Sequence, residues 1–150
     1  MATETERKFL VKGEFRHLAV KAMEIKQRYL SRDPEKIIRI RIADDKAYLT
    51  IKGRPEAGRL MRNEWEFSIP VKDAEDMMEL CLPGIIIKTR YLVPHGIHRY
   101  EVDVFHGKNE GIVVAELELP DENEIFEIPG WLGKEVTGDP AYYNSNLARE

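Results

Sequence analysis

The chain has 150 residues, 43% hydrophobic and 33% charged, with 23 Lys and Arg against 27 Asp and Glu and a net charge of -4. That is the size of one domain, residues 1–150, and its acidic balance disfavours DNA or any other nucleic-acid partner, whose phosphates call for a basic surface. Cys81 is the sole cysteine, which excludes an internal disulfide and a Cys-rich zinc site; no apolar run spans a bilayer and no targeting run opens the chain, so a cytoplasmic protein without a membrane partner is expected.

The elements follow from periodicity. Residues 3–12 alternate, with Glu4, Glu6 and Lys8 on one face and Phe9 and Val11 on the other, which predicts a strand. Phe15, Leu18, Ala19 and Ala22 form a short helical stripe over 14–22. Strands are predicted at 23–30, 36–43, 46–52 and 59–69, separated by the turns at Asp33-Pro34 and Asp44-Asp45 and the loop around Pro55. A helix over about 73–81 ends at Pro83-Gly84. Three further strands are predicted at 85–93, 97–105 and 111–119, and the segments 125–132 and 140–149 read as short helical or irregular closing elements. Eight strands joined mostly by short turns predict an α+β domain: a closed eight-stranded antiparallel β-barrel with flanking short helices.

The polar faces of these strands are unusually pure in charge. Glu4, Glu6, Glu64, Glu66, Glu101, Asp103, Glu116 and Glu118 are matched by Lys8, Arg39, Arg41, Lys52, Arg62, Lys88, Arg90 and Arg99. The plain alternative is a solvent face carrying cross-strand ion pairs. Against it, the acids come as i, i+2 pairs, whose repulsion a divalent cation would relieve, and hard oxygen ligands suit Mg²⁺ or Mn²⁺. The basic pairs Arg39-x-Arg41 and Lys88-x-Arg90, with Lys52, suit a polyanion: Arg grips phosphate oxygens in a fork and Lys supplies a point charge. The pattern fits a chamber with phosphates at one wall and a metal at the other. The apolar faces, with Ile38, Ile40, Leu49, Ile51, Trp65 and Phe67, are then expected to face outward beneath the helices. His17, His95, His98 and His106 form no ligand spacing.

Glu4-x-Glu6-x-Lys8, Arg39-x-Arg41, Thr50-Ile51-Lys52-Gly53, Glu64-Trp65-Glu66, Lys88-x-Arg90, Glu101-Val102-Asp103 and Glu116-Leu117-Glu118 occur in this order, followed by Glu135-Val136-Thr137, Tyr143, Ser145 and Leu147. In this the chain resembles the CYTH family of triphosphate tunnel enzymes almost end to end. The resemblance implies an eight-stranded tunnel accessible at both ends, a small-molecule linear triphosphate as substrate, and Mg²⁺ or Mn²⁺ as cofactor. Because no residue forms an evident base or thiazolium site, the expected reaction is hydrolysis of inorganic tripolyphosphate to pyrophosphate and phosphate, with nucleoside triphosphates as further substrates. Adenylate cyclase, thiamine or RNA triphosphatase, and a non-catalytic polyphosphate-binding module are the alternatives; a homodimer is allowed.

Within that frame Glu4, Glu6, Glu116 and Glu118 are the metal candidates, because the first and last strands must be neighbours if the sheet closes. Lys8, Arg39, Arg41, Lys52, Lys88 and Arg90 are the substrate-binding candidates. Glu64 or Glu66 is the candidate proton acceptor, and Lys8 a candidate to ligate phosphate or orient the acids. A salt bridge across the interior is the alternative for each acid.

Overall fold

The computed structural model describes residues 2–55 and 61–149, and the side chains of all of these except 2–4 and 61. Its strands are β1 (Ala2–Val11), β2 (Lys21–Asp33), β3 (Lys36–Ala43), β4 (Lys46–Gly53), β5 (Met61–Ile69), β6 (Ile86–His95), β7 (His98–Phe105), β8 (Val113–Leu119) and β9 (Leu132–Glu135). Among the described residues they are accompanied by α1 (Val71–Met78) and the single-turn α2 (Asn144–Leu147). The strands form one antiparallel sheet in the order β5-β4-β3-β2-β6-β7-β8-β1-β9. Hairpins join β2 to β5 in sequence. At Asp44-Asp45 the turn places Asp44 at a positive φ of 52°, which a short polar residue tolerates. The connection through α1 then carries the chain across to lay β6 beside β2.

A closed eight-stranded β-barrel, and with it a triphosphate tunnel open at both ends, is not what forms. Among the described residues the sheet has nine strands, because β9, which overlaps the expected closing segment 125–132 only at Leu132, pairs with β1 at Phe9↔Glu135 and Val11↔Leu132. Among the described residues the ladder between β1 and β5 covers Ala2↔Glu64 to Thr5↔Met61. Among the described residues Trp65–Ile69 of β5 therefore have ladder partners on β4 alone, and the sheet is not continuous there. The helix expected over 14–22 is also absent. Only a 3-10 turn forms, at Arg16–Leu18; the Val20 N–H donates to the Leu92 carbonyl, and Lys21 begins β2. Pairing with β6 outweighs a weak helical stripe.

The outward face carries the apolar core. Phe9, Val93, Tyr100, Val102, Ala115 and Leu117 pack under Phe15, Trp131 and Leu132. Ile40 and Ala47 pack under Ala74 of α1 and its neighbours Met77 and Met78. Phe67 departs from the expected outer core, being 54% exposed, and Trp65 is half-buried.

The inward face is charged over most of its length but apolar at one end. There Tyr29, Ile37, Ile86, Phe105 and Val114 cluster with Ala148, and Tyr142 and Leu147 pack against them. The C-terminal segment thus fills that end. Gly84 lets it approach: at φ +98°, a Cβ there would lie 1.6 Å from the Ala148 carbonyl oxygen, so no side chain fits.

Candidate functional site

Strand register brings most of the predicted charged residues onto one inward face. β1 and β8 are neighbours, with Glu6 opposite Glu118 and Lys8 opposite Glu116. Lys52 faces Glu64, Thr50 faces Glu66, and Arg90 faces Asp103. These side chains surround a cavity of about 510 Å³. Its basic wall is Arg39, Arg41, Lys52 and Arg90; its acidic wall is Glu6, Glu64, Glu66, Glu101, Glu116 and Glu118. Trp65 and Phe67 border it as well, at the stretch of β5 that β1 does not cover. Aromatic side chains expected only on the outer face therefore reach the rim.

The basic residues are held in place before any ligand arrives. Arg90 donates from Nε and Nη2 to the two oxygens of Asp103, at 2.8 and 2.9 Å, and from Nη1 to Glu101 at 3.2 Å. Arg41 donates from Nε to Gln27 Oε1 at 2.9 Å. Arg39 donates from Nη2 to Thr50 Oγ1 at 3.2 Å, and Thr50 donates in turn to Glu66 at 2.9 Å. The Nε of Arg39 is buried and has no hydrogen-bond partner among the described residues. A buried guanidinium donor left over beside a cavity suits an anionic ligand, because an unsatisfied charged donor is costly.

Lys8 and Lys88 lie at the filled end and are not part of the cavity wall. Lys8 Nζ donates to the Tyr142 carbonyl at 3.1 Å and sits 3.8 Å from both Glu6 and Glu116. Lys88 is fully buried, 2.7 Å from Asp103 and 2.8 Å from Asn144 Oδ1. Sequence reasoning missed Gln27 and Asn144, and gave no role to Thr50. A Gln placed two residues before Tyr29 on a strand was the one available signal.

Packing these charges together shifts their titration. Burial would raise the Asp103 carboxyl, but Arg90 and Lys88 outweigh it and hold it well below the usual range. Burial lowers Lys88 to about 7, with Arg90 and Arg41 adding to the effect against the pull of Asp103. Burial, then the like charges of Arg39 and Arg90, lower Arg41 to about 9, so it remains a cation at neutral pH. Glu101 is raised, mainly by burial, although Arg90 opposes the shift.

The Lys88 shift has a stability consequence. Above about pH 7 the native lysine sheds its proton while the unfolded chain keeps it until about 10.5, so the unfolded state binds more protons and stability rises with pH. Wild type should therefore gain on Lys88→Met between pH 7 and 9, by at most about 1.4 kcal/mol per pH unit. Urea melts of both proteins across that range measure the gain. Parallel stability curves would show that the lysine does not titrate there.

The acidic wall suits a hard divalent cation in chemistry. Glu6 and Glu118 face each other across the ladder with Glu116 alongside, and Mg²⁺ commonly uses one or two carboxylates, completing its shell with water and substrate phosphates. Among the described residues no group of three or more His, Cys, Asp or Glu converges closely enough to enclose a metal. The Glu4 side chain lies outside the described residues.

Residues 2–145 match the CYTH domain model. An inorganic triphosphatase of Acetivibrio thermocellus is 45% identical over 150 residues, covering 99% of this chain and 95% of the relative. An inorganic triphosphatase of Nitrosomonas europaea is 34% identical over 151 residues, covering 97% of each. A crystal structure of an inorganic triphosphatase superposes with a TM-score of 0.65 at 31% identity, covering 100% of this chain and 97% of that one.

Proposed function

The chain belongs to the CYTH family, and from that membership we propose that it is a metal-dependent hydrolase of linear triphosphates, cleaving inorganic tripolyphosphate to pyrophosphate and phosphate. The observation that carries the reading is the cavity itself: four cations face six carboxylates, and the buried Arg39 Nε lacks a partner among the described residues. A binding module needs the cations but gains nothing from six acids lining the same space.

Arg39, Arg41, Lys52 and Arg90 hold the phosphate chain. Their value is positioning and stabilisation of charge on the transferring phosphoryl group, since phosphoryl transfer asks little covalent chemistry of the protein. Lys8, behind the cavity wall, adds positive potential at the filled end, and Lys88 adds to it while protonated, below about pH 7. Mg²⁺ or Mn²⁺ held by Glu6, Glu116 and Glu118, with Glu4 on the same strand, would neutralise phosphate oxygens. Glu66, fixed by Thr50 and facing the cavity, is the group that accepts a proton from the attacking water, with Glu64 beside it as the other candidate.

Trp65 and Phe67 at the rim favour a second reading in which a nucleoside triphosphate inserts its phosphates and leaves its base against these rings. Both readings are tested by phosphate release in the presence of Mg²⁺ or Mn²⁺ and after chelation. Tight binding of tripolyphosphate with no release under any metal would make this a binding module instead.

A further inference from the structure

Two cations at the filled end of the charged face rely on amide acceptors. Arg41 Nε donates to Gln27 Oε1 at 2.9 Å. Gln27 Nε2 donates to Asn144 Oδ1 at 3.2 Å, and the same oxygen accepts from Lys88 Nζ at 2.8 Å. Lys88 shares its carboxylate partner, Asp103, with the bidentate Arg90. The Asn144 oxygen is thus the second acceptor that holds a fully buried, long and flexible ammonium in one orientation. Gln27, with no exposed surface, links that oxygen to the Arg41 guanidinium. Neutral amides occupy cation donors without cancelling their charge. Acids here would pair the same donors but remove the positive potential that a polyphosphate needs.

We propose that Asn144, delivered by the C-terminal segment, is a positioning residue for triphosphate hydrolysis, acting with Gln27 to fix Lys88 and Arg41 in one geometry without placing a further negative charge beside the phosphate chain. The inference rests on the triphosphatase reading. It assigns the segment a part in turnover beyond filling one end of the sheet. Asn144 touches no substrate in this scheme; it acts through the two cations.

Steady-state kinetics with tripolyphosphate and Mg²⁺ test it. Asn144→Ala should lower kcat by roughly 10- to 100-fold, as expected when a charged group drifts from its productive position, with KM changed by about twofold or less. Combining it with Gln27→Ala should add little to the worse single variant, because both act through one chain of bonds. Asn144→Asp keeps an acceptor but introduces a negative charge, so its main effect should be a raised KM. Asn146→Ala removes a bond of the same segment, from Nδ2 to the Pro140 carbonyl, without touching a cation, and should leave kcat within about twofold of wild type. Should Asn144→Ala fail to fold by circular dichroism, Asn144→Ser carries the same split between kcat and KM. Equal effects of the Asn144 and Asn146 variants, or additive effects of the Gln27 and Asn144 variants, would reduce Asn144 to a structural contact and overturn the inference. An inactive wild type would instead overturn the triphosphatase reading, so the two failures are distinguishable.

Discussion

Arg90→Ala is expected to destabilise the protein by about 3 to 5 kcal/mol, the cost of breaking a buried ion pair by removing one partner. Asp103 is fully buried, and besides Lys88 at 2.7 Å it is held on both oxygens by Arg90, through a fork that no other side chain supplies among the described residues. Without that fork its carboxylate retains Lys88 alone, a lysine that burial already pushes toward neutrality. Glu101 and Glu116 lose a cation at 3.2 and 3.6 Å in the same step. Arg90→Lys should recover only part of the loss, because an ammonium cannot match two oxygens in one plane. Urea unfolding of wild type, both variants and the Arg90→Ala, Asp103→Asn double mutant measures the effect. The double mutant should be less unstable than the sum of the single changes, since neutralising Asp103 removes the stranded charge. A loss below about 1 kcal/mol in Arg90→Ala would place the pair with solvent-exposed salt bridges and contradict its structural role.

Glu6→Gln combined with Glu118→Gln should abolish metal-dependent turnover while leaving the metal-free protein folded. The two carboxylates face each other across the β1–β8 ladder on the acidic wall of the cavity. Facing like charges cost stability, so their removal should change metal-free stability by about 1 kcal/mol or less. Outer-shell changes alone weaken metal sites by roughly 10- to 100-fold, so loss of two proposed direct ligands should reach or exceed the upper figure. Titration of activity with Mg²⁺ and calorimetric measurement of Mg²⁺ binding provide independent readouts. Full activity of the double mutant at saturating Mg²⁺ would remove both residues from the metal site.

Period-two alternation made the charged face legible, because Glu6-x-Lys8, Arg39-x-Arg41, Lys88-x-Arg90 and Glu116-x-Glu118 can share a pleated face only if each segment is a strand. What alternation cannot encode is how far two distant strands remain paired. Among the described residues the ladder from β1 to β5 runs from Ala2↔Glu64 to Thr5↔Met61, Trp65–Ile69 pair with β4 alone, and the closed barrel inferred from strand count does not survive that gap. β9 was missed because Leu-Gly-Lys-Glu is four residues long, includes a glycine and shows no two-faced pattern. Gln27 and Asn144 carry no charge and lie 117 residues apart, so only the folded chain reveals that they join Arg41 to Lys88. The filled end of the inward face was illegible for the same reason: Tyr29, Ile37, Ile86, Phe105 and Val114 come from five strands and meet Ala148 only in three dimensions.

Triphosphate hydrolysis itself is best tested by kcat/KM for tripolyphosphate, ATP, GTP and thiamine triphosphate in parallel, each with Mg²⁺, with Mn²⁺ and with chelator. In the proposed reading the charged residues of the cavity address phosphate and metal, and among the described lining residues Trp65 and Phe67 offer a surface to an organic group. Binding energy that contacts no nucleoside in the transition state cannot favour one, so the bare chain should be hydrolysed at least as efficiently as any organic triphosphate. The expected result is metal-dependent cleavage of tripolyphosphate to pyrophosphate and phosphate, the highest kcat/KM of the four, and no turnover with chelator. Absence of phosphate release from all four substrates with either metal would contradict the hydrolase assignment.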